Sequence, residues 1–201
     1  MKNAYLLTGG PGVGKTTLIK QALDKAQLRA GGFFTEEIRA KGIRQGFRIV
    51  TLGGQSAILA HVDIKSAYMV SKYGVDVEGL NRVGVTALKE SIGECDLVVI
   101  DEIGKMELFS PSFREAVLDA INSQKRTLGT IMLSSHPWAD EIKRHPSVAT
   151  ITVTRINHRQ VLDQVLDWLK SPTTEESNRN LHLSRSNMSN LRTEPHQEMI
   201  E

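Results

Sequence analysis

Seven short apolar runs punctuate the chain: "AYLLT" from Ala4, "GGFFTEEI" from Gly31, "GFRIVTL" from Gly46, "AILAHV" from Ala57, "DLVVID" from Asp96, "TLGTIML" from Thr127 and "ATITVT" from Ala149. Their length and flanking Gly, Asp or Ser predict strands. A different period fills several gaps. Leu18, Ile19, Ala22, Leu23 and Ala26 recur at three and four residues, predicting an amphipathic helix over Thr16 to Gln27. "SPSFREAVLDAINSQ" offers Ser110 or Ser112 as a cap, with Phe113, Val117, Leu118 and Ile121 on one face. "NHRQVLDQVLDWLK" places Val161, Leu162, Val165, Leu166 and Leu169 on one face of a last helix beginning near Asn157.

Strands that read as continuous apolar runs and alternate with helices predict an α/β fold, its mostly parallel sheet covered by helices on both faces. In the middle, "GFRIVTLGGQSAILAHV" carries two strand-like runs joined by "LGGQS", an added antiparallel hairpin. Residues 1–170 are expected to form one domain. From Ser171 the chain turns rich in Ser, Asn, Thr and charge without any period, so 171–201 reads as a disordered tail.

Composition changes this picture little. The 201 residues are 40% hydrophobic and 24% charged, and 25 Lys and Arg against 23 Asp and Glu leave a net charge of +2. Such a balance gives no electrostatic argument for nucleic acid or a membrane surface. No run approaches the ~18 apolar residues of a membrane span, and a cytoplasmic protein is expected. Cys95 is the one cysteine, which excludes an internal disulfide and a cysteine metal cluster; it is expected at the start of an apolar strand as a buried, inert thiol.

The first apolar run leads into "GGPGVGKTT", Gly9 to Thr17. Gly9, Gly14, Lys15 and Thr16 satisfy the spacing Gly, four residues, Gly, Lys, Ser or Thr, between a strand and a helix. Successive amides from Gly9, Gly10, Pro11, Gly12, Val13 and Gly14 can surround phosphate oxygens at a helix N-terminus, with no amide hydrogen from the proline. Lys15 is expected on the β and γ phosphates, Thr16 on magnesium, and Thr17 on the α phosphate. A second apolar run delivers Asp101 to a strand tip, where its carboxylate can hold the same magnesium. Glu102 follows at once as the expected general base for an attacking water.

Other polar residues invite weaker readings. Glu36, Glu37 and Arg39 could line the site or stand as solvated charges, and Lys105 could reach the phosphates or point to solvent. His61 and His136 lack metal-ligand spacing, while Trp138 and Trp168 have apolar neighbours and are expected to pack.

The successive segments "GGFFTEEIRAKGIRQGFRIVTLGG", "YGVDVEGL", "VVIDEIGKMEL" and "TIMLSSHPWADEIKRHPSVATITVTRINH" resemble, in order, the signatures of the nucleoside-triphosphatase family that includes the cancer-related nucleoside-triphosphatase and its archaeal and bacterial relatives. The similarity spans residues 4 to 169. It implies a RecA-like P-loop NTPase fold, with the strand after the acidic one set beside the loop strand and with Ser134 or Ser135 near the γ phosphate. Where family members tend to carry Asn-Arg in the closing helix, this chain has Asn157 and His158, with Arg159 one place later. The resemblance implies magnesium-dependent hydrolysis of nucleoside triphosphates. Two alternatives share the phosphate loop: a nucleotide or nucleoside kinase, and a binding protein gated by slow hydrolysis.

Overall fold

The computed structural model describes residues 2–172 of the 201; the expected tail lies, from residue 173, outside the described residues. Each apolar run forms a strand: β1 Ala4–Thr8, β2 Ala30–Ala40, β3 Ile43–Thr51, β4 Ser56–His61, then, after the short β5 Met69–Val70 and β6 Tyr73–Val75, β7 Leu97–Ile103, β8 Arg126–Ile131 and β9 Val148–Thr152. They join in one sheet, in the order β5-β6-β4-β3-β2-β7-β8-β1-β9. From β2 through β7, β8 and β1 to β9 all pairing is parallel. On the other side of β2 all pairing is antiparallel. β8 lies between β7 and β1, the neighbourhood that the resemblance implied.

Period-two alternation sends successive side chains of the central strands to opposite faces. Leu7, Leu97, Val99 and Leu128 pack with Leu18, Ile19 and Ala22 of α1 (Lys15–Ala26) and with Val161, Val165 and Trp168 of α6 (His158–Lys170). Leu6, Val98 and Ile100 face the other way, toward Phe113 and Val117 of α4 (Pro111–Asn122) and Ala139 of α5 (Pro137–Arg144). All six residues of β8 are buried, as a strand covered on both faces requires.

A helical stretch not read from the sequence crosses the same face: α2 Val77–Gly79, a π-helical turn Leu80–Val85, and α3 Thr86–Glu94. Asp76 caps its start by accepting the Gly79 N–H at 2.8 Å. Wider π spacing between Leu80 and Leu88, both fully buried, hides the stripe from a search at period 3.6. Cys95 corrects an expectation. It caps the end of α3 and is only partly buried, because the strand begins two residues later at Leu97. The first helix also starts one residue earlier than expected, at Lys15, and Ser110 rather than Ser112 caps α4.

Candidate active site

The phosphate loop leaves β1 at its carboxyl end, beside the ends of β8 and β7. Gly9 has φ +150°, and a Cβ there would lie 2.4 Å from the carbonyl oxygen of Val153, so the loop passes a neighbouring backbone too closely for any side chain. Gly14 closes the loop at φ +92°, a left-handed turn into α1. Unlike α4, where the Ser110 hydroxyl accepts the Phe113 N–H, α1 has no side-chain cap and no acid in its first turn. Its first amides are left for a ligand's oxygens, at the end of the helix that favours negative charge. Lys15 folds back over the loop and donates to the Gly9 and Gly10 carbonyls at 3.0 and 3.2 Å.

Two strands away, β7 delivers its acids through a bulge. Ile100 pairs with Gly129 and Ile103 with Ile131, so Asp101 and Glu102 together oppose the single residue Thr130. A regular strand would send adjacent side chains to opposite faces; a bulge re-aims them. Both acids consequently line one cleft with Gly9, Pro11, Lys15 and Thr16.

Asp101 is buried, and burial pushes its carboxyl above the usual range. Hydrogen bonds from the Thr16 and Thr130 hydroxyls, the latter at 2.7 Å, and the Lys15 charge oppose that shift. Glu102 is also raised by burial, with Lys15 lowering it and Asp101 raising it. Glu107, just beyond the strand in a single 3-10 turn (Glu107–Phe109), was not foreseen from the sequence. Its side chain is 3% exposed, accepts the Gly104 N–H at 3.2 Å, and is pushed up to about 8 by burial and then by the Glu102 charge.

The remaining candidates separate. Ser134 lines the cleft, whereas the Ser135 hydroxyl donates to Asp140 at 2.6 Å and is committed to the start of α5. Lys105 lines the cleft while exposed to solvent. Glu37 lines it too, but is paired with Arg39 and Arg44 at 2.6 and 2.9 Å, and Glu36 pairs with Arg48 on the sheet surface. His158 brings Nε2 to 3.1 Å from the Gly14 carbonyl, and Arg159 points to solvent. His61 sits 3.4 Å from Asp63, and Trp168 is buried with its ring stacked on Tyr5 at 4.2 Å. Val13 is packed against the apolar core, and Gly12 and Thr17 do not line the cleft.

A family model described as NTPase matches residues 4–166. The nucleoside-triphosphatase THEP1 of Thermotoga sp. (strain RQ2) is 46% identical over 165 residues, covering 82% of this chain and 94% of that protein. The crystal structure of THEP1 from the hyperthermophile Aquifex aeolicus superimposes with a TM-score of 0.76 at 36% identity, over 84% of this chain and 99% of that one. The solution structure of a human cancer-related nucleoside triphosphatase gives 0.72 at 34% identity, over 85% and 98%.

Proposed function

The chain belongs to the nucleoside-triphosphatase family, and from that premise we propose that it is a hydrolase that cleaves nucleoside triphosphates, ATP and GTP among them, to the diphosphate and phosphate with magnesium bound. The observation that carries the reading is the convergence of Lys15, Thr16, Asp101 and Glu102 on one cleft, two carboxylates meeting one phosphate loop.

The donors present suit magnesium. Among the described residues no group of three or more His, Cys, Asp or Glu side chains is arranged to hold a metal ion. Instead, a buried carboxylate and a hydroxyl, Asp101 and Thr16, stand in contact, and hard oxygen donors that few in number fit a cation which keeps waters and takes its other ligands from phosphates. Those two residues would hold it, and when bound it neutralises charge on the β and γ oxygens.

The chain's own groups do the rest. The amides at the start of α1 bind the phosphates, and Lys15 leaves the Gly9 and Gly10 carbonyls for the terminal phosphate oxygens. Glu102 accepts a proton from the attacking water as its oxygen bonds to the terminal phosphorus. The bridging oxygen departs with the diphosphate. Ser134, exposed on the cleft, is assigned the donation to the terminal phosphate. A cytoplasmic location, where triphosphates and free magnesium are plentiful, goes with this reading; among the described residues no helix is long and apolar enough to cross a membrane.

Phosphate release from ATP, GTP, CTP and UTP, measured with and without magnesium, tests the proposal. Turnover that needs the metal and disappears in Lys15→Ala is expected. Metal-independent turnover, or a well-folded Lys15→Ala protein with normal activity, would overturn it.

A further inference from the structure

The cleft is larger and more apolar than a site for a terminal phosphate and one water requires. It holds about 630 Å³, within the ~300–1,000 Å³ typical of small-molecule sites. From the phosphate loop it takes Gly9, Pro11, Lys15 and Thr16, the side that meets the terminal phosphate, and not Gly12, Gly14 or Thr17, the side expected to lead toward the α phosphate and the nucleoside. The space therefore extends past the terminal phosphate, away from the base of a bound triphosphate.

The far wall comes from the antiparallel half of the sheet and from the loops after β7 and β8. Phe47 of β3, Leu59 of β4, Val70 of β5, Met106 and Leu133 form it. Leu133 is 61% exposed, a large apolar side chain held at the mouth of this space. Two polar groups interrupt the wall. Among the described residues the Thr35 hydroxyl is buried without a hydrogen-bond partner, and the buried Glu107 carboxyl lines the same cleft. Each can serve a ligand hydroxyl. Among the described residues no arginine lines the cleft, and its acids outnumber its lysines, Glu37, Asp101, Glu102 and Glu107 against Lys15 and Lys105. A second phosphate group would find neither the bidentate partner nor the field it needs.

We propose that this chamber binds a nucleoside, a neutral molecule with an apolar planar end and hydroxyls, and that the protein transfers the terminal phosphoryl group to it in competition with water. The proposal rests on the triphosphate reading above and adds the second substrate. The nucleoside hydroxyl oxygen bonds to the terminal phosphorus, the bond from that phosphorus to the bridging oxygen breaks, and the hydroxyl proton passes to Glu102. The products are a nucleoside diphosphate from the donor and a nucleoside monophosphate from the acceptor. A nucleoside seated against the apolar wall displaces the water that would otherwise take the phosphoryl group.

The test follows a labelled terminal phosphate. The full-length protein, labelled triphosphate and magnesium are incubated with adenosine, guanosine, cytidine or uridine, with the matching monophosphates, or with no acceptor. Label is expected in a nucleoside monophosphate when at least one nucleoside is present, and in no diphosphate made from an added monophosphate. Val70→Trp, which fills the chamber, and Leu133→Asp, at an exposed position where folding is not at stake, should each lower the ratio of transferred to free phosphate about tenfold, the effect of ~1.4 kcal/mol. Label found only in free phosphate with all four nucleosides overturns the proposal, as does transfer to monophosphates or an unchanged ratio in both variants. Release without acceptor reads the hydrolysis separately: its absence counts against the triphosphatase reading, whereas its presence without transfer counts only against the chamber.

Discussion

Glu102 and Glu107 face each other across Gly104: a Cβ on that glycine would lie 3.0 Å from Glu107 Oε2 and 3.4 Å from Glu102 Cδ. Two carboxyls this close in a buried cleft cannot both carry charge cheaply, and Glu107, the more deeply buried, keeps its proton up to about 8.

That arrangement sets a slope of stability against pH. Unfolded, Glu107 loses its proton near the ordinary value of 4.5; folded, it holds it to about 8. Between those limits the folded state binds the extra proton, so stability falls as pH rises. Raised values at Asp101 and Glu102 act with the same sign. Glu107→Gln keeps an acceptor for the Gly104 amide and removes the titration. It is expected to flatten the slope between pH 5 and 8 and to be more stable than the wild type above pH 7, as measured by urea unfolding across that range; an unchanged slope contradicts the burial argument.

The two acids of the bulge should separate in kinetics. Glu102→Gln deletes the proton acceptor while keeping shape, so triphosphate affinity should hold and single-turnover hydrolysis should drop ~10²–10⁴-fold. Asp101→Asn should instead weaken magnesium dependence and triphosphate binding together. Both are read by nucleotide affinity and single-turnover rates over a magnesium series.

Thr130→Val removes the 2.7 Å hydrogen bond to Asp101 and leaves a buried carboxylate short of a donor. A loss of ~1–3 kcal/mol in unfolding free energy is expected, with magnesium affinity shifted as well. Thr130→Ser, which restores the hydroxyl, should recover most of both.

His158→Ala takes away the ring that approaches the Gly14 carbonyl at 3.1 Å. The loss of one hydrogen bond, ~0.5–1.5 kcal/mol, corresponds to about a 2- to 13-fold rise in the KM for triphosphate with kcat little changed. A fall in kcat alone, seen in steady-state assays, would place His158 at the reacting phosphate instead.

The phosphate loop was legible in the sequence because its chemistry is local: spacing, glycine and the flanking apolar runs all lie within Ala4 to Ala26. The central strands β7 and β8 were legible for the same reason, since burial on both faces writes itself as an apolar run, whereas β5 and β6, two and three residues long, were not read from the sequence. The helix that includes the turn Leu80–Val85 was not, because π spacing breaks the period by which a buried face is recognised.

Asp101 and Glu102 could be named from the sequence, but their common aim could not. Adjacent residues in a strand face opposite ways unless a partner strand forces a bulge, and that partner, Thr130, lies 29 residues further along the chain. Glu107 and Thr35 are ordinary polar residues in sequence and become notable only through what surrounds them. The sequence by itself determined the spacing of the phosphate loop and the longer strands of the sheet, because those follow from short-range pattern and burial. Only the tertiary structure decided which acids share a cleft, which carboxyl stays protonated, and which apolar residues line the same cleft, because electrostatic environment and empty volume are set by residues distant along the chain.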